Sequence, residues 1–420
     1  MHDDVLVMVL AGGVGERLYP LTKERAKPAV YFGGPYRIID FTLSNCINSG
    51  LRRIFIALQY KSLSLSRHLR MGWSVVADEL GEFIEILSPQ KRVGEHWYLG
   101  TADAVYQNLY SILREDPKQL LVLSGDHVYK MDYAKMLRFH RDHGAAGTLA
   151  VIEVSSEDAH RFGVLQVDDQ DRITGFLEKP RGLPPGRQVL ASMGIYVFEM
   201  DALVPALEAD ARRATAHDFG KDILPEIVGG APVFAYRFYD ENKKAAKYWR
   251  DIGTLDAYYD ANMDLCRVSP EFNLYDPEWP LRTYQVQAPP AKFVFADPRR
   301  RGQAVDSIIS AGCIVSGSQL TGSVLCPNVR VHSFCEIDQS ILMPGVRVGR
   351  HARLRRAIID RDVFIPRGAR IGYDLEEDRR RHTVTESGIV VVTTDDQPLI
   401  GAISEETLRI ETEFDRRGAG

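Results

Sequence analysis

Three kinds of residue in this chain could handle phosphate chemistry: glycines that bare the backbone, clustered cations, and carboxylates at the ends of apolar runs. The first cluster is Leu10-Ala11-Gly12-Gly13-Val14-Gly15-Glu16-Arg17-Leu18. Its glycines let the backbone come close to an anion and turn N–H groups towards phosphate oxygens. Arg17 adds a planar fork for two oxygens. No Gly-Lys-Ser/Thr follows, which excludes a Walker loop, and the glycine spacing is not that of a dinucleotide fingerprint. Lys23, Arg25 and Lys27 lie just downstream. Lys27 precedes Pro28 and is expected in an extended stretch, where its ammonium could reach a triphosphate as a point charge.

The carboxylates come next. Ser124-Gly125-Asp126-His127 follows the apolar run 120–123. An Asp at the end of a buried strand faces the crevice where open α/β sheets bind ligands. Mg²⁺ takes a few carboxylates plus phosphate oxygens and water, so Asp126 is a candidate metal ligand. Asp251, in Tyr248-Trp249-Arg250-Asp251-Ile252-Gly253-Thr254, is its candidate partner. Gly100, Thr101 and Ala102 join a loop to a helix, where N–H groups could face a base or ribose. Glu178 and Lys179 end a strand-like run at 172–177.

The elements that must position these groups fall into two parts. To about residue 260, continuous apolar runs at 5–10, 53–58 and 120–123 alternate with helical patterns at 40–49 and 101–113. Asp40 is expected to cap the first helix and Gly50 to stop it. Such alternation implies an α/β fold, a Rossmann-like domain with a mostly parallel sheet. After about residue 265 the pattern changes to a Pro- and aromatic-rich linker and then a repeat. Ile308, Leu325, Leu342 and Ile359 are spaced 17 apart, as are Ile314, Val331, Val348 and Ile365, and Leu320, Ile337, Leu354 and Ile371. Three apolar positions per coil suggest a hexapeptide-type, left-handed parallel β-helix with all twelve residues stacked inside. The expected division is 1–265, a linker at 266–304, and a β-helix at 305–420.

Composition narrows the partners. A net charge of −5 argues against a general nucleic-acid or anionic-membrane surface. No apolar run approaches the ~20 residues of a membrane helix. Five cysteines without zinc spacing, and a start that lacks a signal-peptide pattern, suggest a reduced, cytoplasmic protein.

Longer motifs are more specific. AGGxGxRLxPLT…RAKPA at 11–29 resembles the signature of sugar-1-phosphate nucleotidylyltransferases, and GGPYRIIDFTLSNCINSG at 33–50 is similar to their ADP-glucose pyrophosphorylase branch. WYxGTADA, GDHxY, FxEKP, YWRDxGT and NLYDPxWPLRT extend the likeness along most of the chain. The resemblance implies that ATP and glucose 1-phosphate give ADP-glucose and pyrophosphate, the first committed step of glycogen biosynthesis. It implies Mg²⁺ on Asp126 and Asp251, with Arg17, Lys27 and Asp126 catalytic. Tyr98, Gly163, Glu178, Lys179, Ser192 and Asp218 would meet glucose 1-phosphate. Leu10, Ala11, Gly12, Gly13, Gly15, Gln59, Gly100, Thr101 and Ala102 would meet the nucleotide. Many relatives carry Thr where this chain has Glu16; a carboxylate beside a triphosphate repels it, so Glu16 is expected to point away. The resemblance further implies a homotetramer controlled by phosphorylated metabolites, with Arg25, Arg37, Arg355 and Arg356 as a candidate anion site. Another sugar nucleotidylyltransferase, or a non-catalytic regulatory subunit of the same fold, is the alternative reading.

Overall fold

A computed structural model describes residues 4–13, 15–89, 97–243 and 247–399. The nine-stranded sheet of the first part contains β1 (Val5–Leu10), β2 (Arg53–Ala57), β3 (Phe83–Leu87), β4 (Gln119–Ser124), β5 (Gly147–Ser155), β6 (Gly163–Val167), β7 (Ile173–Glu178), β8 (Gln188–Glu199) and β9 (Val233–Arg237). Strand order is β7-β6-β8-β4-β1-β2-β3, with β5 pairing β8 and β9. The pairings run seven strands one way and only β7 and β8 the other. β1 is apolar throughout because both of its faces are covered, one by each of two apolar clusters.

Register explains why the expected site residues emerge together. Leu10 of β1 lies level with Ala57 of β2 and with Ser124 of β4. Two residues further along each chain stand Gly12, Gln59 and Asp126, all at the same edge of the sheet.

Two helix expectations are corrected. Helix α1 spans Ile38–Asn48 and starts two residues before Asp40. Asp40 is therefore not the N-cap residue, which is Arg37, but the third helical residue, whose carboxylate completes a capping box. From the first turn its carboxylate accepts from the Arg37 N–H, and it also accepts from Trp73 Nε1 and Thr283 Oγ1 and meets His68 Nε2. A carboxylate with four partners from three segments is a tertiary hub, and local capping rules reveal only the Arg37 contact. The pattern at 101–113 divides into α2 (Thr101–Tyr106) and α3 (Leu109–Arg114).

In the second part the chain winds through three faces of five, five and six strands, all parallel except Thr383–Val384, which pairs antiparallel with Val390–Val392, consistent with the left-handed hexapeptide β-helix that the repeat suggested. Coils from Leu320 onwards stack in the expected register: Leu320–Ile337–Leu354–Ile371, Val331–Val348–Ile365 and Leu325–Leu342–Ile359. The first coil does not. Leu325 lies beside Ile309 rather than Ile308, and Val331 beside Val315 rather than Ile314. That coil is one residue shorter, and adjacent aliphatic pairs hid the slip. Within the segment expected as a linker, Lys292–Val294 already pairs with the β-helix strand Ile314–Ser316. Residues 400–420 of the expected last domain lie outside the described residues.

The two parts share a core. Leu18, Leu21 and Val30 pack in one apolar cluster with Val324, Ile341, Met343, Ile358 and Val391 of the β-helix. Among the described residues no helix is long and apolar enough to cross a membrane.

Candidate active site

The sheet edge opens on a cavity of about 920 Å³. The segment after β1 makes one wall, with Leu10, Ala11, Gly12, Gly13, Gly15 and Arg17 lining it. Gly15 has φ +68°, and a β-carbon there would stand 3.0 Å from Lys27 Cβ and 3.2 Å from Thr22 Cγ2. Glycine is required on both counts, since it alone adopts that conformation freely and leaves room for the lysine stem. The Gly15 carbonyl accepts from Thr22 Oγ1 at 2.9 Å, which ties the loop to the segment carrying Lys27. Gly12 packs against Gln59, where an added β-carbon would lie 3.2 Å from Gln59 Cβ. Glu16, expected to turn away, is exposed and lies on the cavity wall.

Lys27 and Asp126 line the floor, and Asp251, which does not itself line the cavity, converges on Lys27. Lys27 is not extended as expected but begins a short 3-10 turn, Lys27–Ala29. Its Nζ donates to Asp126 Oδ2 at 2.7 Å and to Asp251 Oδ1 at 2.9 Å. Asp251 arrives on the strand Trp249–Asp251, which pairs antiparallel with His127–Tyr129 and sets Asp251 opposite His127. Burial pushes the Lys27 ammonium down, but Asp126 and Asp251 outweigh it and raise it above the ordinary lysine range. Burial likewise pushes the Asp126 carboxyl up, and the charges of Lys27 and His127 overcome that and hold it well below the usual range. Arg17 Nη2 approaches to 3.4 Å from the β-carbon position of Gly253, beside the Asp251 carboxylate.

This donor set fits a divalent cation. One atom from each of Asp126, His127 and Asp251 lies within 4.8 Å of the others. Two converging carboxylates are the oxygen chemistry that Mg²⁺ or Mn²⁺ takes. His127 stands at the same point, its Nε2 3.5 Å from Asp126 Oδ1, while its buried Nδ1 has no hydrogen-bond partner.

The opposite wall holds Tyr98, Glu178, Tyr196 and Asp218. Glu178 is held by two glycines: a β-carbon on Gly163 would fall 2.9 Å from its Oε2, and one on Gly220 2.6 Å. Gly163 does not itself line the cavity; its role is to leave space for Glu178 and for Phe176, whose Cζ would be 2.3 Å away. Lys179, exposed and in the left-handed region at φ +49°, pairs with Glu178 Oε1 at 2.9 Å. Ser192 lies behind the wall. Its Oγ is 3.3 Å from the hydroxyl of Tyr196, which takes the lining position. The Tyr98 phenol accepts from Asn108 Nδ2 at 2.9 Å, and burial raises its pKa.

The helix start at Gly100 differs from the expectation. The N–H groups of Ala102 and Asp103 both donate to the His217 carbonyl, at 2.8 and 3.3 Å, so they do not face a ligand. Gly100 lines the cavity, and it is glycine because a β-carbon would meet that same carbonyl at 2.2 Å. Thr101 also lines it and donates to Asp218 Oδ2 at 3.0 Å, whereas Ala102 is buried beneath. On the same rim, Gln59 Nε2 donates to the Tyr98 carbonyl at 3.4 Å, which leaves its buried Oε1 as an acceptor without a partner. Tyr60 also lines the cavity and stacks on Trp97, with rings 5.6 Å apart and 10° from parallel. Tyr60, Tyr196 and Gly220 were not anticipated. Each stands close in sequence to an expected residue: Tyr60 follows Gln59, Tyr196 shares a strand with Ser192, and Gly220 follows Asp218 by two.

The four arginines of the candidate anion site have separate partners, and none lines the cavity. Arg25 is buried, with both Nη atoms on Asp360 at 2.7 and 3.1 Å. Arg37 donates to Ser64 and to the Tyr31 hydroxyl. Arg355 stands 3.8 Å from Asp338, and Arg356 donates to the Ser387 carbonyl.

Comparison with known proteins agrees with both halves of this architecture. The nucleotidyl transferase family model matches residues 6–268, and the GlmU-like C-terminal hexapeptide model matches 289–392. A glucose-1-phosphate adenylyltransferase of Koribacter versatilis is 60% identical over 399 residues, covering 93% of this chain and 96% of its own. Enzymes of the same name from Methylococcus capsulatus and Dechloromonas aromatica are 52% and 50% identical, again over 93% of this chain and over 93% and 91% of theirs.

Proposed function

The chain belongs to the glucose-1-phosphate adenylyltransferases, and from that premise we propose that it transfers the adenylyl group of ATP to glucose 1-phosphate, forming ADP-glucose and releasing pyrophosphate. The observation that carries the reading is the convergence of Lys27, Asp126 and Asp251 at the floor of the cavity bounded by the glycine loop.

The reaction is an in-line displacement at the α-phosphorus. A phosphate oxygen of the sugar attacks, the bond to the β-phosphate oxygen breaks, and pyrophosphate leaves. The attacking oxygen is already ionised at neutral pH, so no general base is required. What the protein must do is bring two polyanions together and neutralise them. The loop from Leu10 to Gly15 receives the triphosphate, and Arg17 stabilises charge as it moves onto pyrophosphate. Asp126 and Asp251 would hold Mg²⁺, which would supply positive charge at the reacting phosphates. Glu178, fixed between Gly163 and Gly220, accepts from a sugar hydroxyl, and Lys179 reaches the sugar phosphate. Gln59 Oε1 is a buried acceptor in need of a donor. The 6-amino group of adenine supplies one, whereas guanine, uracil and thymine present a carbonyl at the corresponding edge. An unmet acceptor is costly to bury, which favours ATP over GTP, UTP and dTTP. The same reading includes a cytoplasmic homotetramer responsive to phosphorylated metabolites; five free, buried cysteines and the stacking β-helix support it.

The test is pyrophosphate release with each nucleoside triphosphate, with and without glucose 1-phosphate and Mg²⁺. Turnover is expected with ATP and the sugar phosphate together. Equal turnover with UTP, GTP or dTTP would refute the base assignment, and release without the sugar phosphate would refute the transfer.

A further inference from the structure

Lys27 and a divalent cation have a claim on the same two carboxylates. The ammonium contacts both Asp126 and Asp251, and its side chain is only 9% exposed. The backbone that carries it is fixed: the Val30 N–H donates to the Lys27 carbonyl, the Ala29 N–H donates to that of Ala26, and the Lys27 β-carbon packs beneath Gly15. Only the four-carbon stem can move. A lysine is suited to this, because its charge is a compact point on a flexible chain, unlike the rigid fork of arginine.

We propose that Lys27 is the resident counter-cation of the metal site, and that a divalent ion displaces it from Asp126 and Asp251 towards the phosphate loop. The proposal rests on reading these carboxylates as metal ligands. Before exchange, the single charge of Lys27 is shared between two carboxylates in contact with it. After exchange, the dication balances the carboxylates and the freed ammonium needs an anion. The glycine loop, whose Gly15 touches the Lys27 stem, is where the triphosphate supplies it. Metal entry and delivery of Lys27 to the nucleotide are thus one event. The ion binds weakly alone and tightly with ATP, because only the nucleotide provides a new partner for the lysine.

The experiment is titration of Mn²⁺ into the full-length protein, followed by calorimetry or by the electron spin resonance of the free ion, without substrates. Lys27→Met and Lys27→Gln should each bind Mn²⁺ at least about 10-fold more tightly than wild type, the scale of removing one competing charge at contact distance. Addition of ATP without the sugar phosphate should tighten Mn²⁺ on wild type more than on either variant. Unchanged or weaker Mn²⁺ binding by a folded Lys27 variant overturns the exchange. If Lys27→Met does not fold, Lys27→Gln and the wild-type response to ATP decide the matter. Asp126→Asn introduced into Lys27→Gln tests the underlying site separately. Loss of Mn²⁺ binding is expected, and retained binding overturns the metal assignment and the exchange with it.

Discussion

Arg25 sits at the boundary with the β-helix, and Lys27, two residues on, faces the cavity; both are buried cations that contact carboxylates. Arg25 meets Asp360 with two nearly parallel hydrogen bonds, and both side chains are almost wholly covered. Lys27 meets two carboxylates with one ammonium, at the floor of an open cavity. The planar fork fixes a geometry and suits a permanent joint between domains, whereas the flexible point charge suits a contact that must be exchanged. The two cations are about equally covered, so the kind of cation, the number of carboxylates it faces and the solvent access beside it separate structure from function.

The comparison can be broken by removing one member of each cluster. The largest effect is expected at the joint. Asp360→Asn leaves the Arg25 guanidinium buried without its counter-charge, at a cost of about 3–5 kcal/mol. A thermal or urea unfolding curve measures it. A change under 1 kcal/mol would show that the pair is not buried in solution as it is here. At the floor the effect should pass to rate: Asp126→Asn should lower kcat by roughly 10²-fold or more, the scale for losing one preorganised electrostatic element. Near-normal kcat in steady-state pyrophosphate release would remove Asp126 from the chemistry. A third cation sharpens the contrast. Lys179 is exposed beside Glu178, where an ion pair adds little to stability. Lys179→Ala should leave the unfolding curve alone but remove a charged hydrogen bond to the sugar phosphate, worth about 1.5–3 kcal/mol. That corresponds to a KM for glucose 1-phosphate raised roughly 10–150-fold. A rise confined to the KM for ATP would place Lys179 on the other substrate.

How far the sequence could be read depended on the range of each contact. The glycine loop and Asp126 were legible because each directly follows an apolar run, and strand ends face the crevice. The repeat was legible from Leu320 onwards. It slipped in the first coil because Ile308-Ile309 and Ile314-Val315 each offer two aliphatic choices. The part Asp40 plays at the helix start is legible as capping, but its other partners, His68, Trp73 and Thr283, are distant in sequence and leave no local signal. Arg25 was grouped with other arginines as an anion receptor, while its actual partner stands 335 residues away. The role of Gly163 was hidden for a similar reason: the carboxylate it accommodates comes from the adjacent strand. Residue type alone does not reveal such pairings.

The apolar cluster shared by Leu18, Leu21 and Val30 with Val324, Ile341, Ile358 and Val391 bears on how such a chain can be recombined. In sequence the halves look like modules joined near residues 268–289. In space the seam runs through the first thirty residues, immediately beside the phosphate loop, and through the helix Leu255–Asp264, whose Tyr258 and Tyr259 join the same cluster and whose Tyr259 hydroxyl donates to the Gln339 carbonyl. A hybrid cut at the apparent junction would therefore inherit an N-terminal segment shaped for a foreign partner. Grafts that exchange this segment and the helix Leu255–Asp264 together with the β-helix keep the seam intact, and those that exchange the β-helix alone do not.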